Sequence, residues 1–204
     1  MEHAIPKMMV SPQVQEAGDH FAKMVAEYCQ QVDSHTEIPV IDFMIRMERL
    51  LARIYFEASE LPIVDLPSEL IDLRYNESFS NSKPSKPQDS SKFHERMQQL
   101  ASYLGKYNPY WHVVDTLDNA DHESIEYSIA GDLSEIYDDL NECLNNWQNG
   151  NPTQKNEAFS EWQQDWDIHW GDHALNALRA IHSCIYVYIR DTDADELELK
   201  NKKI

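Results

Sequence analysis

The chain has 204 residues, 42% of them hydrophobic and 10% aromatic, a composition that fits one globular domain with a substantial core. It holds only 5 glycines, too few for the turn every ~8–12 residues that a sandwich or barrel requires. The net charge of −19 is uneven, −5 on residues 1–110 and −14 on residues 111–204. Such a field repels nucleic acid and anionic membrane, and fits a metal, a basic partner protein or plain solubility.

Ser11-Pro12 is a cap with proline at the first helical position. Val14, Ala17, Phe21, Met24, Val25, Tyr28 and Val32 then recur at spacings of three and four, predicting a first helix that closes at Asp33-Ser34-His35-Thr36. A second opens near Pro39, with Ile41, Met44, Met47, Leu51, Ile54, Tyr55 and Ala58 as its core stripe, and ends at Leu61-Pro62. Residues 62–91 are irregular. Within them 76–91, polar with Pro84 and Pro87 among serines and lysines, reads as a flexible surface loop that does not divide the domain. A third helix runs from about Ser91 to Lys106, turning Phe93, Met97, Leu100 and Leu104 inward, and Tyr107-Asn108-Pro109-Tyr110-Trp111 is a packed aromatic connection.

A fourth helix is predicted from near Asp121 to Trp147, with Ile125, Ile129, Leu133, Ile136, Leu140, Cys143 and Trp147 on its core face; Gly150-Asn151-Pro152 stops it. The fifth, from Thr153 to about Arg190, is the longest pattern. Phe159, Trp162, Trp166, Trp170, Ala177, Ile181, Cys184 and Tyr188 share one face, and Ile168, Leu175, Leu178, His182 and Ile189 lie nearly opposite. A helix apolar on two faces is central to its fold. Residues 191–204 read as a frayed charged tail. The expected architecture is a single all-α domain over 1–204: about five main helices bundled around a central C-terminal one.

Cys29, Cys143 and Cys184 fall at apolar helical positions and form no Cys-x-x-Cys pair, which excludes a zinc knuckle or thioredoxin-like motif. Met1 to Ser11 lacks the pattern of a signal peptide, and no stretch of ~18 uncharged apolar residues occurs, so the expectation is a cytoplasmic protein with no membrane span. There is no phosphate-binding glycine loop and no G-x-S-x-G elbow.

On the fifth helix Asp165, His169 and His173 follow one another at four-residue intervals, so they form one stripe that climbs from the helix flank into its apolar face. Two histidines at i and i+4 can chelate one ion, but Trp170 stands where the zincin motif requires Glu. The fourth helix offers Asp132, Glu135, Asp139 and Glu142 beside its core face. Asp132 and Asp139 opposite the two histidines suit a carboxylate-rich metal centre. They suit equally well a pair of His–Asp hydrogen bonds that lock two helices in register. Arg179 and His182 lie on the other face of the fifth helix, where Arg179 can pair with a carboxylate or recognise an anion.

Three blocks together carry a resemblance. They are Leu50 to Pro62 (LLARIYFEASELP), Asp132 to Leu140 (DLSEIYDDL), and His169-Trp170-Gly171-Asp172-His173 running on to Ala177-Leu178-Arg179-Ala180-Ile181-His182. With Tyr28-Cys29 of the first helix, they resemble a bacterial family of all-helical domains of unknown function, from the first helix to His182. The resemblance implies an all-helical bacterial cytoplasmic protein with no assigned activity, and its signature falls on Asp132, Tyr137, Asp139, His169, Trp170, His173, Arg179 and His182. The loop at 76–91 is an elaboration on it, and Asp115-Thr116 stands where Asp-Pro is expected.

Two functions fit the sequence. One is a non-enzymatic acidic helical protein that binds a protein partner through segment 115–142, which holds ten acidic residues and no Lys or Arg. The other is a metal-binding protein, with hydrolysis as its chemistry, using Asp165, His169 and His173 with Asp132 and Asp139, and Tyr137, Trp170, Arg179 and His182 as a further polar cluster. No cofactor is assured; a divalent metal is the one the residues accommodate.

Overall fold

The computed structural model describes the backbone of residues 9–64, 90–113 and 124–201, with the side chains of these residues except Ser90, Val113, Ile189 and those from 191 onward. The loop expected at 76–91 therefore lies outside the described residues up to Asp89. Within them the chain forms six helices and one pair of short strands: α1 Pro12–Asp33, α2 Val40–Ser59, α3 Ser90–Leu104, β1 Pro109–Val113, β2 Ser124–Ser128, α4 Ile129–Asn149, α5 Pro152–Ile168 and α6 Trp170–Asn201. This is a single helical domain, as the periodicity predicts. No helix among the described residues is long and apolar enough to cross a membrane.

The cap at Ser11 forms as the sequence spells it, while the cap expected at Thr153 falls two residues earlier, on Asn151. The Ser11 hydroxyl accepts from the Val14 amide at 3.2 Å, and Asn151 and Gln154 make a reciprocal capping box at the start of α5, with Pro152 in its first turn. The core is aromatic. Phe21 meets Trp162 edge-on at 5.1 Å between centroids, and Trp147 packs 5.9 Å from both Phe159 and Trp162. Gly18 admits Trp147: a Cβ there would collide with the indole ring, whose N–H reaches the Asp19 carboxylate at 3.0 Å.

Four features depart from the sequence-based expectation. First, α4 begins at Ile129, not near Asp121, because Ser124–Ser128 is a strand. Its alternating Ser-Ile-Glu-Tyr-Ser pairs antiparallel with Pro109–Val113, Tyr110 opposite Tyr127 and His112 opposite Ile125. The Ile129 amide donates to the Asn108 carbonyl at 2.9 Å, the Ala130 amide to Asn108 Oδ1 at 2.9 Å and the Gly131 amide to Ser128 Oγ at 3.0 Å. These three bonds satisfy amides that a helix start leaves open, and the two to Asn108 fasten the start of β1 to α4.

Second, the fifth predicted helix is two helices. His169, at φ −145° and ψ −86°, leaves the helical region and ends α5, and α6 restarts at Trp170. The reason is local. The Trp166 carbonyl lies against the Cα of Gly171, where a Cβ would collide with its oxygen, so the break needs glycine at this point. Third, the hub is α4, which packs against α1, α3, α5 and α6, while α6 packs against α2, α4 and α5. The second apolar face read along residues 168–189 is largely open to solvent: Ile168 is 68% and Leu175 45% exposed. Fourth, the backbone of α6 stays helical to Asn201, past the point where fraying is expected.

Candidate histidine–carboxylate site and adjoining cavity

The helix break aims two histidines at α4. His169, at the junction, directs Nδ1 to Asp139 Oδ2 at 2.5 Å; His173, in the first turn of α6, directs Nδ1 to Asp132 Oδ1 at 2.8 Å. A carboxylate only accepts, so each Nδ1 carries the proton. The other Asp132 oxygen accepts from the Tyr110 hydroxyl at 2.6 Å, and Asp132 itself is buried, 1% exposed. A buried carboxylate held by two donors, one from β1 and one from α6, is the polar centre of the site. Its position follows from the fastening of β1 to the start of α4, three residues before Asp132.

The two imidazoles lie edge to face with centroids 5.1 Å apart. The hydrogen bond to Asp139 holds His169 above its ordinary value of 6.5, burial opposes it, and the charges of Asp139, Glu135 and Asp165 add to the rise. Half-buried Glu135 is pushed up by burial, and His173 and His169 pull it back down. Burial, and then the hydrogen bond to Asp132, push the Tyr110 phenol well up.

The structure thus brings together His169, His173, Asp132 and Asp139, as their positions on the two predicted helices suggest. It assigns the carboxylates a different part, since both face an Nδ1–H and do not stand ready as ligands beside the imidazoles. Asp165, in the last turn of α5, touches the site through its charge on His169 and through its carbonyl, which accepts the His169 amide at 2.9 Å. Neither Nε2 has a hydrogen-bond partner among the described residues, so no Ser, Thr or Cys completes a nucleophilic triad there. Among the described residues no three His, Cys, Asp or Glu side chains are grouped so as to hold a metal ion.

Tyr137, Trp170, Arg179 and His182 do not form one cluster. Tyr137 lies under Arg96, whose guanidinium carbon is 3.7 Å from its ring centroid, and donates to Asp33 Oδ2 at 3.2 Å. Trp170 is fully buried and donates to the Trp162 carbonyl at 3.1 Å. His182 pairs at the surface with Glu48 of α2 at 2.6 Å. Arg179 faces a cavity.

That cavity is the feature the sequence does not reveal. It has a volume of about 580 Å³ between α6 and the segment from Lys106 to β1. Tyr107, Tyr110, Trp111, His112 and Tyr188 give it aromatic walls, and Lys106 and Arg179 its charge. Tyr110 joins the two halves of the site: it lines the cavity and its hydroxyl bonds Asp132. The residue types were visible in the Tyr107–Trp111 run, but their convergence on α6 depends on β1 being a strand.

The model of the family described as "Domain of unknown function (DUF5063)" matches residues 13–187. The chain belongs to this family. The match takes in α2 to α5 whole, α1 but for Pro12, α6 as far as Val187, and all the residues of the site and cavity except Tyr188. A crystal structure of protein BF1032 from Bacteroides fragilis is similar to this DUF5063 chain, with a TM-score of 0.62 and 21% sequence identity over 80% of this chain and 89% of that one. At that identity the likeness speaks for the fold alone. No curated protein matches the chain.

Proposed function

We propose that this DUF5063 protein is a non-enzymatic binding protein whose working surface is the cavity between β1 and α6. The observation that carries the reading is the cavity itself. Its volume of about 580 Å³ falls in the range of small-molecule sites, and mostly apolar, aromatic walls with a few fixed polar groups are what such sites have. The acidic segment supports partner binding less well, because three of its described carboxylates are engaged within the fold. Asp132 holds Tyr110 and His173, Asp138 pairs with Arg96 at 2.6 Å, and Asp139 holds His169. Three free cysteines support a cytoplasmic setting.

A screen of small metabolites by thermal shift tests the reading, run on the wild type and on Ser183→Trp, which places an indole on the cavity wall from an exposed position. Compounds that raise the wild-type Tm and leave the variant unmoved support it. A library without effect, or equal shifts in both proteins, contradicts it.

A second reading rests on the histidine pair. Metal-binding histidines commonly give one N–H to a carboxylate and ligate through the other nitrogen, and His169 and His173 keep Nε2 free in that way. Asp132 and Asp139 would then orient the ligands, and further ligands would have to come from outside the described set. Elemental analysis of the purified protein beside His173→Ala tests it: stoichiometric metal lost in the variant supports a metal site, and none in either protein overturns it.

A further inference from the structure

Resting on the binding reading above, we propose that the cavity's ligand is a small planar organic anion, an aromatic ring bearing a carboxylate or phosphate, with Arg179 and Lys106 meeting the charge and the aromatic walls meeting the ring. Arg179 is the starting point. Arg53 bonds Glu27 at 3.1 Å and Arg96 bonds Asp138 at 2.6 Å, whereas Arg46, Arg49 and Arg179 have no ion pair with a described residue; of these three, Arg179 lines the cavity. The Arg179 guanidinium makes no ion pair or hydrogen bond with any described residue, although it stands on the helix that carries His173 and Asp172; its carbonyl accepts from Ser183 Oγ at 2.9 Å. It faces the cavity. Lys106 also faces it, its ammonium 5.0 Å from the centroid of Tyr107.

No Asp or Glu is among the described residues of the lining. Two carboxylates bond lining residues and both are engaged there: Asp132 accepts from the Tyr110 hydroxyl at 2.6 Å, and Asp172 accepts from Asn176 Nδ2 at 3.1 Å. The lining is thus a cationic spot on an anionic protein. Guanidinium and ammonium groups recognise both carboxylate and phosphate, the former with a planar fork.

The ring is inferred from the walls. Trp111 is 71% exposed on its strand, where the fold makes no use of its faces, and Tyr107, Tyr110, His112 and Tyr188 are arranged around the same space. Flat faces of this kind stack on a planar group. Tyr110 cannot swing away, because its hydroxyl is tied to buried Asp132. The size of the ligand follows from the field. A nucleic acid or other polyanion meets the whole −19 charge and is repelled, whereas a molecule with one or two charges that fits inside about 580 Å³ meets the local one.

The test uses benzoate and phenyl phosphate beside their uncharged counterparts benzamide and benzyl alcohol, with binding read by ligand-observed NMR on the full chain. The expected result is that the two anions bind and the neutral compounds bind at least tenfold more weakly. Arg179→Gln and Lys106→Gln should each weaken the anions about tenfold or more, the loss of a charge-assisted hydrogen bond. Neither side chain holds the fold together, so both variants should keep the wild-type Tm. Neutral compounds binding as well as anions, with both lost in Ser183→Trp, would overturn the anion while leaving the cavity as the binding surface. Binding unchanged in Ser183→Trp, or no binding of any probe, overturns both.

Discussion

Asp132 is the most consequential polar residue of the fold, and its removal has a calculable effect. In Asp132→Ala the His173 Nδ1–H and the Tyr110 hydroxyl lose their acceptor together. A buried donor left without a partner costs about 1–3 kcal/mol. Here the lower part of that range applies, because the His173 side chain is 22% exposed and Tyr110 is half-buried, so water reaches both. Two such losses come to about 3 kcal/mol, or a fall of about 6–12 °C in Tm for a chain of this length. Asp132→Asn keeps one oxygen for His173 and a polar group for the freely rotating Tyr110 hydroxyl, and should cost about half as much. Thermal unfolding followed by circular dichroism at pH 7 measures both variants. Adding His173→Ala to Asp132→Ala should cost less than the sum of the single changes, because they break the same bond. A Tm for Asp132→Ala within about 2 °C of wild type, or strict additivity with His173→Ala, refutes Asp132 as the shared acceptor of His173 and Tyr110.

Three further outcomes follow from the same structure. The folded pKa of His169 lies above its ordinary 6.5, so the stability from its bond to Asp139 is fully present below pH 6.5 and is lost as pH rises through the folded value. The Tm advantage of the wild type over His169→Gln should therefore shrink as pH rises above 6.5; an advantage constant with pH would contradict the assignment. Gly171→Ala forces a methyl group against the Trp166 carbonyl and should destabilise by about 1–3 kcal/mol, readable as a lower urea midpoint, whereas an unchanged midpoint would show that the helix break does not need glycine. Gly18→Ala should push the Trp147 indole out of its seat against Asp19, lowering Tm and changing the tryptophan emission; emission identical to wild type would count against the close approach.

Much of this architecture can be read from the residues. The cap at Ser11 and the apolar spacing of α1, α2 and α3 each point to one element, and local and tertiary preferences agree there. The meeting of Asp132 and Asp139 with His173 and His169 is also legible, because both pairs sit at the edge of apolar stripes on neighbouring helices. Four things are not. Trp162, Trp166 and Trp170 keep helical spacing across the break at His169, so periodicity runs through it and Gly171 is the one local sign. Ser124–Ser128 alternates like a strand but lies in an acidic run continuous with α4, which hides the change of period. Which imidazole nitrogen meets the carboxylate, and that Tyr110 shares Asp132, depend on tertiary geometry that spacing does not encode. The cavity is hidden for the same reason, since its walls come from Lys106–His112 and from α6, some seventy residues apart in sequence.

The most direct test of the cavity as the working surface is a crystal structure of the protein grown with benzoate or phenyl phosphate. Density for the ligand between β1 and α6, its anionic group on the Arg179 guanidinium and its ring against the Trp111–Tyr188 wall, is the predicted result. A cavity left to solvent, with the ligand seated at His169 and His173 or elsewhere on the molecule, would contradict it.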